Sequence, residues 1–107
     1  MRLISFSLAC ALILTAAVVQ AAVSINIEQK GQVFDQSSIE LSPGDRLTFV
    51  NHDDVTHNIS VFDETGETSD LGLQKPGVPL TYKFDKVGLF KVRCSIHPSM
   101  KMVVTVR

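Results

Sequence analysis

The sequence from Val92 to Met102 reads VRCSIHPSMKM and carries a thiol, an imidazole and a thioether at every third residue, at Cys94, His97 and Met100. Thiolate and thioether sulfur are soft ligands that select copper(I), zinc or iron–sulfur. Two histidines, one cysteine and a weak axial methionine describe an electron-transfer copper site. A short loop cannot surround a metal by itself, so we expect the fold to bring a second imidazole from a distant part of the chain.

Two histidines lie upstream of this loop, His52 and His57. His57 precedes the run NISVF at 58–62, a β-rich segment that can hold an imidazole rigidly at the start of a strand. His52 lies in the polar stretch NHDD at 51–54, which is typical of a turn. Either histidine taken alone is more often structural, and Cys94 alone is more often a small buried hydrophobe. Their joint occurrence favours a metal site that includes His57.

The segment FKVRCSIHPSM at 90–100, with THNI at 56–59 and a Val-rich ending, resembles the cupredoxin family, particularly plastocyanin and amicyanin. The resemblance covers nearly the whole chain after the first twenty-odd residues. It implies an all-β, cupredoxin-like Greek-key β-sandwich that binds one mononuclear type 1 copper ion. It also implies the ligand set, which is His57, Cys94, His97 and, in the axial position, Met100.

The axial position has two candidates in the sequence, Met100 and Met102. The spacing Cys-x2-His-Pro-x-Met is the amicyanin form, which places the axial ligand at Met100, whereas the longer plastocyanin loop would place it at Met102. Counting from Met100 brings Val104–Val106 into the register of the family's closing strand. We therefore expect Met102 to be a core residue of that strand.

The first twenty-one residues predict a secretory signal peptide. Met1–Arg2 gives a positive start, residues 3–19 are apolar, and small residues suited to cleavage follow at 20–22. The competing interpretation is a membrane anchor, since the run is close to the lower limit for spanning a bilayer. No basic stop sequence follows, so we expect cleavage, export to the periplasm, no stable membrane insertion and one copper-binding domain at 22–107.

The cysteine count and the charge balance argue against an internal disulfide and against nucleic-acid binding. Cys10 lies in the predicted leader, so an exported chain would keep Cys94 alone, which has no partner for an internal disulfide. The chain has 10 basic and 11 acidic residues, and this balance offers no basic face for nucleic acid. We interpret the acidic residues of the middle region as solvated loop residues: Asp53, Asp54, Asp63, Glu64, Glu67 and Asp70.

Alternation of apolar and polar residues predicts strands throughout the exported part, with no helix of useful length. Val23, Ile25 and Ile27 alternate with polar neighbours, and the Pro43-Gly44 pair marks a tight turn. The segment 63–78 is polar and irregular and is expected to be a loop, with Leu71 and Leu73 packed against the core. The predicted strands are 33–34, 39–41, 46–51, 58–62, 79–84, 89–93 and 102–107, which together indicate a β-sandwich.

These features favour a monomeric carrier of single electrons between an electron donor and an electron acceptor, both redox proteins. Asn58 is expected to tie its strand to the Cys94 loop. Arg93 replaces the aromatic residue that plastocyanin has before its cysteine, so a second electron route is not expected, and Lys91, Arg93 and Lys101 would suit an acidic partner. The alternative is a copper-tolerance or copper-delivery protein. An enzyme is not expected, because the small chain leaves little room for a cleft.

Overall fold

The computed structural model describes residues 2–16 and 21–107. Residues 2–16 are exposed and form neither helix nor strand, whereas the eight strands and the buried core found among the described residues lie between residues 24 and 107. The predicted signal peptide and its cleavage site fall partly on residues 1 and 17–20, which lie outside the described residues. Among the residues that are described, no helix is long and apolar enough to cross a membrane.

Three strands form the smaller sheet, in the order β1-β3-β6, with β1 parallel and β6 antiparallel to the central strand. Each alternates inward apolar with outward polar side chains, as a sheet with one buried face requires. The Pro43-Gly44 turn that precedes β3 closes with a hydrogen bond from Asp45 N to Ser42 O of 3.1 Å. The strands are β1 (Ser24–Gln29), β3 (Asp45–Asn51) and β6 (Pro79–Phe84).

Five strands form the larger sheet, in the order β2-β8-β7-β4-β5. The last strand pairs in parallel with β2 on one side and antiparallel with β7 on the other. Several strands that are neighbours in the sheet are not consecutive in the sequence. The chain therefore crosses between the two sheets, as Greek-key connections do. The strands are β2 (Ser38–Leu41), β4 (His57–Phe62), β5 (Thr68–Gln74), β7 (Gly88–Arg93) and β8 (Lys101–Val106).

The two sheets share one hydrophobic core. Phe84 of the smaller sheet meets Phe90 of the larger one edge to face, with ring centroids 5.3 Å apart. Each side chain of this kind contributes about 1.5–3 kcal/mol by leaving water, so the core holds the strand ends in fixed relative positions. Its residues are Ile27, Phe34, Leu41, Leu47, Phe49, Ile59, Val61, Phe84, Phe90, Val92, Cys94, Met100, Met102, Val104 and Val106.

The predicted all-β sandwich is confirmed. The interpretation of 63–78 as a loop holds for residues 63–67 and 75–78 but is wrong for the segment between them. Residues Thr68–Gln74 form β5, an edge strand antiparallel to β4. It is polar and carries Gly72 at a φ of 88° beside a register shift in β4, features typical of a protected sheet edge. Leu71 packs against the core as expected, whereas Leu73 is 73% exposed, contrary to the prediction.

Candidate metal centre

His57, Cys94 and His97 come together at one end of the sandwich. His57 is the first residue of β4, and the other two lie in the loop that joins β7 to β8. The two Nδ1 atoms are 2.9 Å apart, and Cys94 Sγ lies 3.9 Å from Nδ1 of His57 and 3.8 Å from Nδ1 of His97. The structure therefore brings the distant imidazole to the loop, and His57 rather than His52 supplies it.

The separations among these three atoms suit a bound metal ion. Metal–nitrogen bonds of about 2.0 Å and a metal–sulfur bond of about 2.3 Å would span these separations, because each separation is shorter than the sum of the two bonds that would join its atoms. His57, Cys94 and His97 would therefore be able to hold one ion between them. Two imidazoles and one thiolate are the donor set of an electron-transfer copper site.

The second ring nitrogen of His57 is held by a carboxylate. His57 Nε2 lies 2.7 Å from Asp53 Oδ2, and the imidazole is fully buried. Asp53 in turn accepts hydrogen bonds from the backbone amides of Gly31, at 2.7 Å, and Gln32, at 3.0 Å. Donation from Nε2–H to Asp53 leaves the lone pair of Nδ1 free to face the other donors, as ligating histidines require.

The environment of Asp53 keeps its carboxyl charged. Burial acts to raise the pKa of Asp53, but the hydrogen bonds from His57, Gln32 and Gly31 together outweigh it, so the pKa lies below its ordinary value. The side chain of Asp53 is 11% exposed. Its interpretation as a solvated loop residue is therefore wrong, and the structure instead places a negative charge directly behind His57.

Asn58 links β4 to the cysteine loop, as the sequence predicted. Its Oδ1 accepts hydrogen bonds from the backbone amide of Ser95, at 2.6 Å, and from the hydroxyl of Ser95, at 2.8 Å. Its backbone amide points at the sulfur of Cys94, at 3.4 Å. Since Asn58 and Cys94 are both buried, these contacts fix the loop against the strand that carries His57.

Both methionines of the loop region are buried, but they lie in different elements. Met100 is fully buried and immediately precedes β8; its amide donates to His97 O at 3.0 Å, and its carbonyl accepts from Cys94 N at 3.1 Å. Met102 is a buried residue of β8 and pairs with Val92. Met100 therefore belongs to the closed turn that carries Cys94 and His97, whereas Met102 packs in the core as predicted.

His97 forms the outer side of the centre. It is half-buried, whereas Cys94 and His57 are fully enclosed. Its neighbours Ile96, Pro98 and Ser99 are exposed, and Ile96 exposes 48% of its surface. The loop is anchored beyond His97 by a hydrogen bond from Ser99 Oγ to Gln32 O at 3.4 Å. A group outside the protein can thus approach the His97 ring while the other donors stay shielded.

Sequence reasoning missed the structural roles of two acidic residues. Asp53 precedes His57 by four residues in a turn, and this spacing was the signal that could have found it. Asp70 is exposed as expected, but it lies in β5 rather than in a loop and accepts a hydrogen bond from Asn58 Nδ2 at 3.3 Å, to which no local pattern pointed. His52, the rejected candidate, lies on the surface and pairs with Glu28.

Comparison with known proteins gives a consistent result. A model of the copper binding proteins of the plastocyanin/azurin family matches residues 21–107. The methylamine utilization protein MauL of Methylorubrum extorquens is 37% identical over 59 residues, which are 55% of this chain and 52% of that protein. The chain therefore spans about half the length of that relative.

Shorter relatives match over most of their length. Plastocyanin of Scenedesmus fuscus is 31% identical over 96 residues, covering 79% of this chain and 97% of that protein. Among solved structures, an amicyanin variant in its reduced state superimposes with a TM-score of 0.71 at 19% identity, over 78% of this chain and 82% of the other. A purple cupredoxin from Nitrosopumilus maritimus superimposes with a TM-score of 0.66 at 25% identity, over 77% of this chain and 98% of the other.

Proposed function

Because the chain belongs to the plastocyanin/azurin family of copper-binding proteins, we propose that it is an exported mononuclear copper protein that carries single electrons between redox proteins. The proposed ligands are His57, Cys94 and His97, with Met100 in the axial position. The observation that carries the proposal is the convergence of two imidazole nitrogens and one cysteine sulfur within 4.8 Å of one another, supplied by one strand and one loop of a rigid sandwich.

The residues of the candidate centre have roles that are consistent with electron transfer. Copper, when bound, supplies the one-electron couple. The strand start at His57 and the Asn58–Ser95 contacts keep the donor atoms in place in both oxidation states, which lowers the reorganisation that each transfer requires. Asp53 fixes the tautomer of His57. His97, the donor with an accessible ring, is the proposed point at which electrons enter and leave, and no substrate chemistry is assigned to the chain.

The alternative of copper tolerance or delivery required extra exchangeable ligands, for which Met100, Met102 and His52 were the candidates. His52 is paired with Glu28 on the surface, and Met102 is enclosed in β8. His52 lies outside the donor group of His57, Cys94 and His97, and Met100 is as fully buried as Met102. The electron carrier is therefore the function that we retain.

The proposal is tested by loading residues 22–107, which contain every strand of the described chain, with copper(II) and recording visible and electron-spin spectra. We expect an intense thiolate-to-copper band in the red part of the visible spectrum. Cys94→Ser and His57→Gln should abolish the band, whereas His52→Gln, the matched control, should keep it. A colourless complex, or a band that survives Cys94→Ser, would overturn the proposal.

Export is a separate part of the proposal. Residues 2–16 contribute nothing to the buried core, which suits a segment that is removed before folding. We expect the full chain, expressed in a bacterial host, to appear in the periplasmic fraction with Ala22 as its first residue, as N-terminal sequencing would show. A full-length product in the membrane fraction would instead support an anchor.

A further inference from the structure

Three cations lie together on the outer face of the larger sheet, at the end that carries the candidate metal centre. Lys91 and Arg93 are exposed residues of β7, and Lys101 is an exposed residue of β8. Their chain neighbours Phe90, Val92 and Met102 point inward and are buried. The three cations line a shallow groove of about 340 Å³ together with Ser37, Met102 and Val103. We call Lys91, Arg93 and Lys101 the basic cluster.

The arrangement of the basic cluster is unfavourable for the fold alone. Arg93 and Lys101 are directly opposite each other in the antiparallel pair of β7 and β8, and like charges at such positions destabilise a sheet. Arg93 lies over the ring of Phe62, with its guanidinium carbon 5.9 Å from the ring centroid. This contact keeps the guanidinium of Arg93 on the surface of the sheet, beside Lys101.

Asp63 and Glu64 line a neighbouring groove with Lys91 and Arg93, but no acidic residue of the described chain forms an ion pair with the basic cluster. Within residues 2–16 and 21–107, no carboxylate lies within ion-pair distance of Lys91, Arg93 or Lys101. Asp70, which shares the cross-strand row of Ser60 and Arg93, accepts hydrogen bonds from Asn58 and Gly72. Glu64 accepts one from the amide of Leu89. The basic cluster thus holds three cations without an ion-pair partner among the described residues, on a chain whose net charge is −1.

We propose that the basic cluster is the docking surface for an acidic patch of a protein redox partner. The inference rests on the proposed function and adds the chemistry of the partner and the face that it uses. Charge complementarity favours an acidic partner, because opposite charges at an interface steer encounter and fix orientation. Arg93 is bonded to Cys94, so a protein docked here lies one residue along the backbone from the proposed thiolate ligand.

Binding is tested with decaglutamate as the acidic probe, followed by amide chemical shifts of copper(I)-loaded 22–107 at an ionic strength of about 0.01 M, where charges act over about 30 Å. We expect decaglutamate to change the amide chemical shifts of residues in β7 and β8. The double variant Arg93→Gln/Lys101→Gln should raise the Kd at least about fivefold, since rim charges govern steered association. The control Lys83→Gln/Lys86→Gln, with the same charge change elsewhere, should change it less than about twofold.

A second measurement separates docking from folding. Because Arg93 and Lys101 repel each other, their double replacement should leave the thermal midpoint of unfolding unchanged or higher, so weaker binding could not be ascribed to a damaged fold. Equal weakening by the two double variants, shifts confined to the surroundings of His97, or an absence of binding would overturn the proposal. Tighter binding of a single-stranded DNA of the same charge would overturn the assignment to an acidic protein.

The copper(II) spectrum of each variant distinguishes this proposal from the proposed function. A protein that shows the thiolate band but fails to bind decaglutamate at β7 and β8 would retain the electron-carrier function and lose only this docking surface. A protein that binds decaglutamate there but lacks the band would lose the electron-carrier function.

Discussion

His57 Nε2 and Asp53 Oδ2 are 2.7 Å apart in a part of the molecule from which water is almost excluded. The carboxylate is held on its other side by the amides of Gly31 and Gln32, so it cannot follow His57 if the imidazole turns. A negative charge fixed behind a ligand makes the ligand a better donor and favours the more highly charged state of the metal.

Replacing Asp53 with Asn should therefore weaken copper(II) binding and raise the reduction potential. Loss of such a partner costs about 10–100-fold in metal affinity, and a tenfold loss confined to copper(II) corresponds to about +59 mV for a one-electron couple. Competition with a chelator and voltammetry measure the two effects. Asp54→Asn, an equal charge change at the exposed neighbouring residue, is the control, and equal shifts in both variants would contradict a specific role for Asp53.

The two methionines should respond differently to replacement by leucine. Met100→Leu removes the proposed axial thioether, a donor that tunes the potential, so the copper spectrum should change and the potential should rise. Met102→Leu should leave the spectrum as it is and lower the free energy of unfolding by less than about 1.5 kcal/mol, the usual cost of a volume-conserving core exchange. The reverse result would move the axial position to Met102.

Asn58→Ala should loosen the cysteine loop even without metal. The change leaves the amide and hydroxyl of Ser95 without their protein acceptor, and the loss of a typical hydrogen bond costs about 0.5–1.5 kcal/mol. Urea unfolding of the metal-free protein measures the loss. Asn26→Ala, at an exposed position of β1, serves as the control and should cost less; equal costs would show that the Asn58–Ser95 contacts do not stabilise the loop.

Asp63 should make the stability depend on pH. Its Oδ1 accepts hydrogen bonds from Thr65 N, Thr65 Oγ and Glu67 N in the turn between β4 and β5. The bond from the Thr65 side chain is the main cause that lowers the pKa of Asp63. A lowered pKa means that the stabilisation is present above the ordinary carboxyl value and disappears as the pH falls through the lower folded value.

The Asp63→Ala variant tests this dependence. Its deficit in the free energy of unfolding, measured with urea on the metal-free protein, should be largest near neutral pH and shrink once the pH falls below about 4. Asp54→Ala provides the comparison and should show a smaller deficit at neutral pH. A deficit for Asp63→Ala that stays constant down to acid pH would show that the charge of the carboxylate is not what stabilises the turn.

Much of the fold was predictable because each core strand alternates apolar and polar residues within the strand itself. The run 79–84 coincides with β6, and 58–62 lies within β4. Cys94, His97 and Met100 share one loop, so the sequence alone places them close together. His57 was predictable because a strand begins there and because His57-Asn58 matches a family pattern.

The features that sequence analysis predicted wrongly, namely β5, Asp53 and Leu73, depend on contacts that form only in the complete fold. β5 lies at a sheet edge, where polar residues are tolerated because one side faces solvent, so its sequence reads as a loop. The segment around Asp53 has the composition of an exposed turn. Asp53 is enclosed only because Gly31 and Gln32 approach it from another loop. Leu73 resembles a core residue, but the register of β5 turns it outward.

The place of β8 between β2 and β7 has a consequence for how the protein is made. A growing chain that ends before residue 101 leaves both of those strands with an open edge, and the turn that encloses the thiol has nothing to close against. We expect the sandwich to assemble only after β8 has been synthesised, so that the cell delivers the metal to a chain that already contains this strand rather than to a shorter nascent one.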